Sequence, residues 1–458
     1  MTTVTALESR PLKPLFFSYL FPAIVGILLM SVNILVDGIF VSQGIGPTAL
    51  AGINIAVPIF SILLSISLWI GVGGATLYSI ALGRNHIEKA QRIFSLAFML
   101  MFVIVSIIIV CALWKMEEIS YLFGADAQTY PYVRDYLYIV LLFGMVYTVE
   151  NLLSIFIRND GNPKLAMAGL IVTSILNIVF NYFFIFVWSY GVTGVALATV
   201  LSTVVGTMVL CLHFLWKNKR LKFVWACWSR EDIRKIIGIG LPSFIVEGSL
   251  AIMVVLYNIT FSSYFGTDGV TAYAMVNYLH VVLLMLFIGI GMGMQPLVSY
   301  HYGATLMDRV KDLLKISLQT GVVLGLMISI LAMVFPTQIL SVFGHESVEG
   351  SKLAIEGFVY FAAGYIFLGA NMVLAEFFQA IEKVRIATTI ILLRSIVLFI
   401  PLLVLLPKYF GAHMIWWVFP ITEGITTLLV VIGFMRSKKW SKRNVLSNVT
   451  EQSQMGRI

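Results

Sequence analysis

Long apolar stretches separated by short polar segments recur along the whole chain. At about 1.5 Å per helical residue, each stretch is long enough to cross a hydrocarbon core about 30 Å thick. The pattern predicts twelve membrane-spanning helices, spans one to twelve: 14–40, 47–76, 91–114, 131–157, 164–188, 191–216, 235–262, 268–297, 312–335, 352–378, 384–407 and 410–435.

The composition agrees with this pattern. Hydrophobic residues make up 60% of the 458 residues and charged residues only 11%. Soluble domains usually carry about 25% charged residues. The sequence therefore predicts an all-α, multi-pass protein embedded in a lipid bilayer.

Basic residues are concentrated on one side of the predicted membrane. With the N-terminus inside, 25 of the 30 Lys and Arg residues fall in cytoplasmic segments. The positive-inside rule then places both termini in the cytoplasm. This topology accounts for the net charge of +8, and we expect no nucleic-acid partner.

The second half of the sequence repeats the first half. A shift of 220 residues without a gap aligns these pairs: Pro22 and Pro242, Gly46 and Gly266, Gly83 and Gly303, Asn151 and Asn371, Gly191 and Gly411. Each half has six spans, so both enter the membrane in the same orientation. We predict two six-helix bundles related by a pseudo-two-fold axis along the membrane normal. The predicted domains are an N-terminal lobe, a cytoplasmic linker, a C-terminal lobe and a cytoplasmic basic tail: 1–216, 217–234, 235–436 and 437–458.

Span one carries a single acid, Asp37, in an apolar stretch. An ionised carboxylate in a bilayer core costs about 2.5–3.5 kcal/mol on insertion scales, so it usually faces a cavity, a partner or an ion. Counting from the outer helix ends places Asp37, Asn177, Asn181 and Thr199 at one level of the outer leaflet, with Asn33 one turn deeper than Asp37. Snorkelling of Asp37 and simple interhelical hydrogen bonding are the alternatives. We favour a cation or proton site.

The second half has its own polar layer near mid-membrane, formed by Glu247, His280, Arg394 and Glu423. Because buried charges are normally paired, one interpretation is a structural ion pair of Arg394 with Glu423 or Glu247. The other is a site for a cationic substrate or a coupling ion. The sequence leaves both open.

The spans are rich in aromatic and sulfur-containing side chains, with 32 Phe, 19 Tyr, 9 Trp and 20 Met in the chain. A cavity with such a lining suits apolar cations through dispersion and cation–π contacts. Most of these side chains face lipid or pack between helices. Tyr257 and Asn277 are candidates for contacts with a substrate.

No motif supports enzymatic chemistry or nucleotide-driven pumping. The sequence has no Gly-rich phosphate loop ending in Gly-Lys-Ser/Thr, and its six His residues show no metal-ligand spacing. We expect a non-enzyme without a cofactor, driven by an ion gradient. Pro22 lies inside span one, where a proline tends to kink a helix, and we expect it to act as a hinge.

A set of short motifs, in order along residues 14–436, resembles the multidrug and toxic compound extrusion (MATE) family, bacterial type. The motifs are Pro22, Asp37-Gly38-Ile39-Phe40, Gly83-Arg84-Asn85, Arg158-Asn159-Asp160-Gly161-Asn162-Pro163 and Gly240-Leu241-Pro242. The resemblance implies a monomeric transporter of the cell membrane that exports organic cations and drugs by alternating access.

The resemblance also assigns roles to individual residues. It implies that Asp37 couples transport to H⁺ or Na⁺, with Asn177, Thr199 and Asn151 at polar positions of the family. Relatives often carry a second Asp at the position of Asn181. This departure leaves Asp37 as the only acid that we place in the cluster, and the identity of the ion, including Na⁺ bound at Asp37, stays open.

The expected function is secondary active multidrug efflux coupled to H⁺ or Na⁺. A flippase or exporter of lipid-linked precursors, from the same superfamily, is the alternative. A flippase needs a basic cavity for a diphosphate, whereas the mid-membrane residues here are more acidic than basic. A channel or a non-transporting scaffold is the third interpretation.

Overall fold

The fold, described from a computed structural model, is helical and of the kind found in membrane proteins. The structure describes residues 7–216, 219–225, 228–341 and 348–436. Within these ranges the chain contains helices, turns and connecting segments but no strand. The predicted tail 437–458 and parts of the predicted linker lie outside the described residues.

The first half forms six spans. Span four consists of two helices that meet at an angle of 53°. A helical π turn, Phe183–Val187, extends span five. In order, the helices of the spans are Leu12–Gly44, Pro47–Gly83, Ile87–Trp114, Tyr130–Leu142 with Gly144–Asn159, Pro163–Tyr182, and Gly191–Cys211.

The second half repeats this order. Spans seven and eight form a single stretch of helix, interrupted at Gly266, where φ is 62° and ψ is −145°. Span ten again consists of two helices, here at 50°. The helices are Arg230–Gly303, Met307–Val334, Val348–Ala362 with Tyr365–Ala380, Val384–Leu392 with Phe399–Phe410, and Val418–Arg436. Counted in this way, the described chain has the twelve predicted spans.

The turns between spans repeat with the spacing seen in the sequence. Backbone conformations with positive φ occur at pairs of residues 220 positions apart: Gly46 and Gly266, Asn85 and Thr305, Gly191 and Gly411. Glycine has no Cβ and adopts this conformation without strain. Repetition of backbone geometry as well as residue type confirms the internal duplication.

The chain divides into two compact units. The larger unit contains Met1–Leu256, Asn277–Gly321 and Met372–Ile391. The smaller unit contains Tyr257–Val276, Val322–Asn371 and Leu392–Ile458. The larger unit therefore holds all of the first half together with segments of the second half.

Within the larger unit, backbones of the two halves pack closely at glycines. A Cβ atom on Gly73 would lie 2.9 Å from the nitrogen of Gly240. A Cβ atom on Gly293 would lie 2.8 Å from the Cα atom of Leu20. The 220-residue shift relates Gly73 to Gly293 and Leu20 to Gly240, so the two contacts are equivalent. The contact between the halves is therefore itself duplicated.

Candidate functional site

The structure assembles the polar cluster predicted around Asp37, to which spans one, five and six contribute. The side-chain nitrogen of Asn181 donates to Asp37 Oδ1 at 2.6 Å and to Asn177 Oδ1 at 3.3 Å. The side-chain nitrogen of Asn177 donates to the hydroxyl of Thr199 at 3.4 Å. We call these four residues the Asp37 cluster.

Helix geometry explains why the cluster forms. Asn177 and Asn181 are four residues apart on Pro163–Tyr182, so their side chains share one face of span five. Both are buried, with 4% and 0% of their surface exposed, while Asp37 is half-buried. Thr199 donates its own hydroxyl to the carbonyl of Val195, which leaves its oxygen free to accept from Asn177.

The hydrogen bonds of the cluster favour a negative charge on Asp37. Asn181 donates to a carboxylate oxygen, and a hydrogen bond of this direction stabilises the charged form of the acid. No basic side chain forms an ion pair with Asp37 in the part of the chain that the structure describes. Asn181 Oδ1 is buried and has no hydrogen-bond partner among the described residues. The cluster thus presents carboxylate and amide oxygens that suit H⁺ or a small hard cation.

Three other residues assigned to the first half lie outside this hydrogen-bonded cluster. Asn33 lies one turn from Asp37, and its buried Oδ1 finds no partner in the described ranges. Asn151 donates to the carbonyl of Tyr147 in its own helix at 3.1 Å. Pro22 is buried inside the continuous helix Leu12–Gly44.

Sequence reasoning missed Tyr136 near this cluster. Tyr136 is half-buried in span four and packs against a hydrophobic cluster that includes Val41 of span one and Val195 of span six. It lies less than two turns from the start of Tyr130–Leu142. Counting depth along span four as well would have identified it.

In the second half, the smaller unit contains a buried polar network around Glu423. Arg394 contacts Glu423 Oε1 through Nε at 2.8 Å and through Nη2 at 2.6 Å. The side-chain nitrogen of Asn371 donates to Glu423 Oε2 at 2.7 Å, and the Thr427 hydroxyl donates to Asn371 Oδ1 at 3.0 Å. Of the two pairings that the sequence left open for Arg394, the structure shows the pair with Glu423. Asn371 was not among the predicted site residues, although the repeat had already aligned it with Asn151.

The remaining candidates of the second half are dispersed. Glu247 and Asn277 are half-buried, and His280 is buried, all in the larger unit. Tyr257 is only 1% exposed in the smaller unit. Its ring lies 4.9 Å from the ring of Tyr273 and is thus part of an aromatic core.

The motif between spans four and five organises the end of the larger unit at which these two spans are joined. Asp160 Oδ1 accepts from the Tyr78 hydroxyl at 2.7 Å, and Oδ2 lies 2.7 Å from His213 Nε2. The backbone nitrogens of Arg220 and Leu221 donate to the same Oδ2 at 3.0 and 3.2 Å. Asp160 therefore attaches the described part of the linker to the first half.

Two relatives of known name are similar over most of their length. Multidrug export protein MepA of Staphylococcus saprophyticus is 24% identical over 399 residues, covering 85% of this chain and 86% of the relative. MepA of Staphylococcus aureus (strain MRSA252) is 23% identical over 442 residues, covering 94% of this chain and 96% of the relative.

Solved structures share the fold. One is the outward-facing conformation of a multidrug resistance MATE family transporter of the MOP superfamily, with a TM-score of 0.89 and 21% identity over 96% of this chain and 99% of that one. Another is a MOP superfamily transporter from Pyrococcus furiosus, described as having a binding pocket of reverse polarity that suggests a different function. Its TM-score is 0.89, with 20% identity over 97% of this chain and 99% of that one.

The family model MatE matches residues 22–183 and 242–405, one segment in each half. The starts of the two segments are separated by the 220 residues of the internal repeat. Together the segments cover well over half of the sequence. The chain therefore belongs to the MatE family of membrane transporters.

Proposed function

We propose that this protein is a secondary active multidrug efflux antiporter, which exports cationic and amphipathic compounds in exchange for H⁺ or Na⁺ through Asp37. The observation that carries the proposal is the Asp37 cluster, in which three spans converge on one acid. The names of the MepA relatives support multidrug export as the transport activity. We also propose a cell-membrane location with both termini cytoplasmic, from the distribution of basic residues.

Charge compensation explains how one acid could couple two fluxes. An ionised Asp37 in an apolar span is costly unless a cation or a proton compensates it. Loading with H⁺ or Na⁺ would therefore change the interactions that span one makes with Asn181. Spans five and six would respond through Asn177 and Thr199. In this mechanism Pro22 is the hinge of span one.

Asn181 limits the number of ions in the Asp37 cluster. A neutral amide can contribute an oxygen ligand, but it cannot take up a proton. The cluster therefore carries one negative charge. We propose that it binds one monovalent cation per cycle.

The alternative of a lipid-linked precursor flippase needs free basic groups for a diphosphate. Arg394 is the only Lys or Arg that the sequence places near mid-membrane, and it is bound to Glu423. Glu247, which is half-buried in the larger unit, adds a carboxyl group and no positive charge. This charge pattern favours an organic cation over an anionic lipid precursor.

The test is ethidium efflux from proteoliposomes with separately imposed pH and Na⁺ gradients. Antiport predicts saturable ethidium movement against its gradient, driven by one of the two ion gradients and abolished by the matching ionophore. Movement that neither gradient drives would contradict the proposal. Transport of a lipid-linked diphosphate, but not of ethidium, would favour the flippase.

A further inference from the structure

The first half contains a second buried acid that the Asp37 mechanism does not use. Glu150 lies on Gly144–Asn159 of span four and is only 2% exposed. Its position in the sequence, near the predicted inner end of span four, would suit the membrane interface. Instead, the Thr173 hydroxyl of span five donates to Glu150 Oε1 inside the helix bundle.

Three oxygen atoms converge where span six carries a glycine instead of a side chain. A Cβ atom at Gly206 would collide with Thr173 Oγ1 and Glu150 Oε1, and would lie 3.2 Å from the carbonyl oxygen of Gly169. Spans four and five thus present a carboxylate, a hydroxyl and a carbonyl oxygen to the same point. Ligand sets of this kind suit hard cations.

The charge of Glu150 has no fixed counter-charge in the part of the chain that the structure describes. Within the described ranges, no basic side chain forms an ion pair with it. The buried acid of the second half, Glu423, is compensated by Arg394 at 2.6 Å. A carboxylate that is buried without such a partner is strongly disfavoured, so it requires a proton or a metal cation.

A polar stripe connects Glu150 to the Asp37 cluster. Thr173, Asn177 and Asn181 follow one another at intervals of four residues, so they share one face of span five. The stripe from Thr173 to Asn181 covers eight residues, or about 12 Å of helix. Glu150 is bound at its inner end and Asp37 at its outer end.

We propose that Glu150, Thr173 and the Gly169 carbonyl form a second site for a monovalent cation, H⁺ or Na⁺, which exchanges with the Asp37 cluster along the face of span five. This proposal rests on the proposed function in taking Asp37 as the first cation site. It gives the first half two cation-binding carboxylates, Asp37 and Glu150, at different depths in the membrane.

Infrared difference spectroscopy of purified, lipid-reconstituted protein tests this site directly. A protonated carboxyl group shows a C=O stretching band that disappears when the proton leaves. One arm changes the pH without Na⁺, and the other replaces choline by Na⁺ at constant pH. We expect a carboxyl band that responds in at least one arm, persists in Asp37→Asn and is absent from Glu150→Gln. A response to pH alone identifies H⁺, and a response to Na⁺ at constant pH identifies Na⁺.

Two further variants keep the test decisive. Thr173→Val retains the carboxyl group but removes its hydrogen bond, so the Glu150 band should move to higher frequency even if Glu150→Gln does not fold. Glu356→Gln, which removes an acid whose side chain is 46% exposed, should leave the responsive bands unchanged. Spectra of Glu150→Gln and Thr173→Val identical to that of the unmodified protein would overturn the proposal.

Failure of this site is distinguishable from failure of the proposed function. If Glu150 alone is inert, the Asp37 band still responds and Asp37→Asn still loses gradient-driven efflux. If the proposed function is wrong, efflux by Asp37→Asn equals that of the unmodified protein, whatever the spectrum of Glu150 shows.

Discussion

Arg394 and Glu423 form a buried ion pair, with Nη2 of the arginine 2.6 Å from Oε1 of the glutamate. The corresponding region of the first half lacks this arrangement, because the 220-residue shift places Ser174 and Thr203 at these positions. The two halves therefore repeat the same turns but differ in charge compensation. Glu423 is thus compensated by an ion pair, whereas no ion pair with Asp37 or Glu150 occurs among the described residues.

Breaking the Arg394–Glu423 pair should destabilise the smaller unit. Arg394→Met leaves the Glu423 carboxylate buried without its counter-charge, which typically costs about 3–5 kcal/mol. The double variant Arg394→Met/Glu423→Leu should lose less stability, because no charge remains unpaired. Thermal unfolding in detergent measures both. A double variant less stable than Arg394→Met would contradict a purely structural ion pair.

Asp37→Asn should abolish gradient-driven ethidium efflux, because an amide cannot take up a proton or neutralise Na⁺. Ethidium binding to the purified protein should persist if the substitution affects coupling and not folding. Efflux and binding are measured on the same preparation. Glu356→Gln is the control and should transport at the rate of the unmodified protein. Transport by Asp37→Asn at that rate would show that another group couples the fluxes.

Asn181→Leu should weaken cation coupling without abolishing it. The substitution removes the 2.6 Å bond to Asp37 but keeps the charge of Asp37 and the branching and number of heavy atoms of the replaced side chain. A hydrogen bond to a charged group contributes about 1.5–3 kcal/mol, so we expect the cation affinity to change about tenfold or more. The ion concentration giving half-maximal efflux measures this change. Asn151→Leu, which alters an amide bound to its own helix, is the comparison and should have a much smaller effect.

The Asp37 cluster could be predicted from sequence because its residues lie within continuous α-helices. A constant rise per residue relates position to depth, and a four-residue interval places Asn177 and Asn181 on one face. Glu150 escaped this reasoning because span four bends by 53° next to Gly144. The environment of Tyr257 also could not be predicted, since aromatic residues lining a cavity and those packing in a core follow the same helical pattern.

Asp160→Ala should release the linker from the first half. It removes the acceptor for Tyr78, His213 and two backbone nitrogens in a buried region. Loss of one member of a buried charged network typically costs about 3–5 kcal/mol. We expect a lower Tm and faster proteolysis at 219–225. The control is Asp308→Ala, since the Asp308 side chain is 97% exposed and its removal should change neither measurement.

Gly303→Ala should separate spans two and eight at the helix ends where Gly83 and Gly303 lie. A Cβ atom on Gly303 would lie 2.8 Å from backbone carbon atoms of Ile80, and its equivalent Gly83 makes the reciprocal contact with Tyr300 and Ala304. Overpacking of this kind costs about 1–3 kcal/mol, which favours states without the contact. A cysteine replacing buried Ser299 should then react faster with a membrane-impermeant thiol reagent. Gly238→Ala is the control, because its added Cβ meets nothing within 4 Å and should leave the rate of cysteine labelling unchanged. Equal labelling rates for Gly303→Ala and Gly238→Ala would show that the Gly303 contact does not hold spans two and eight together.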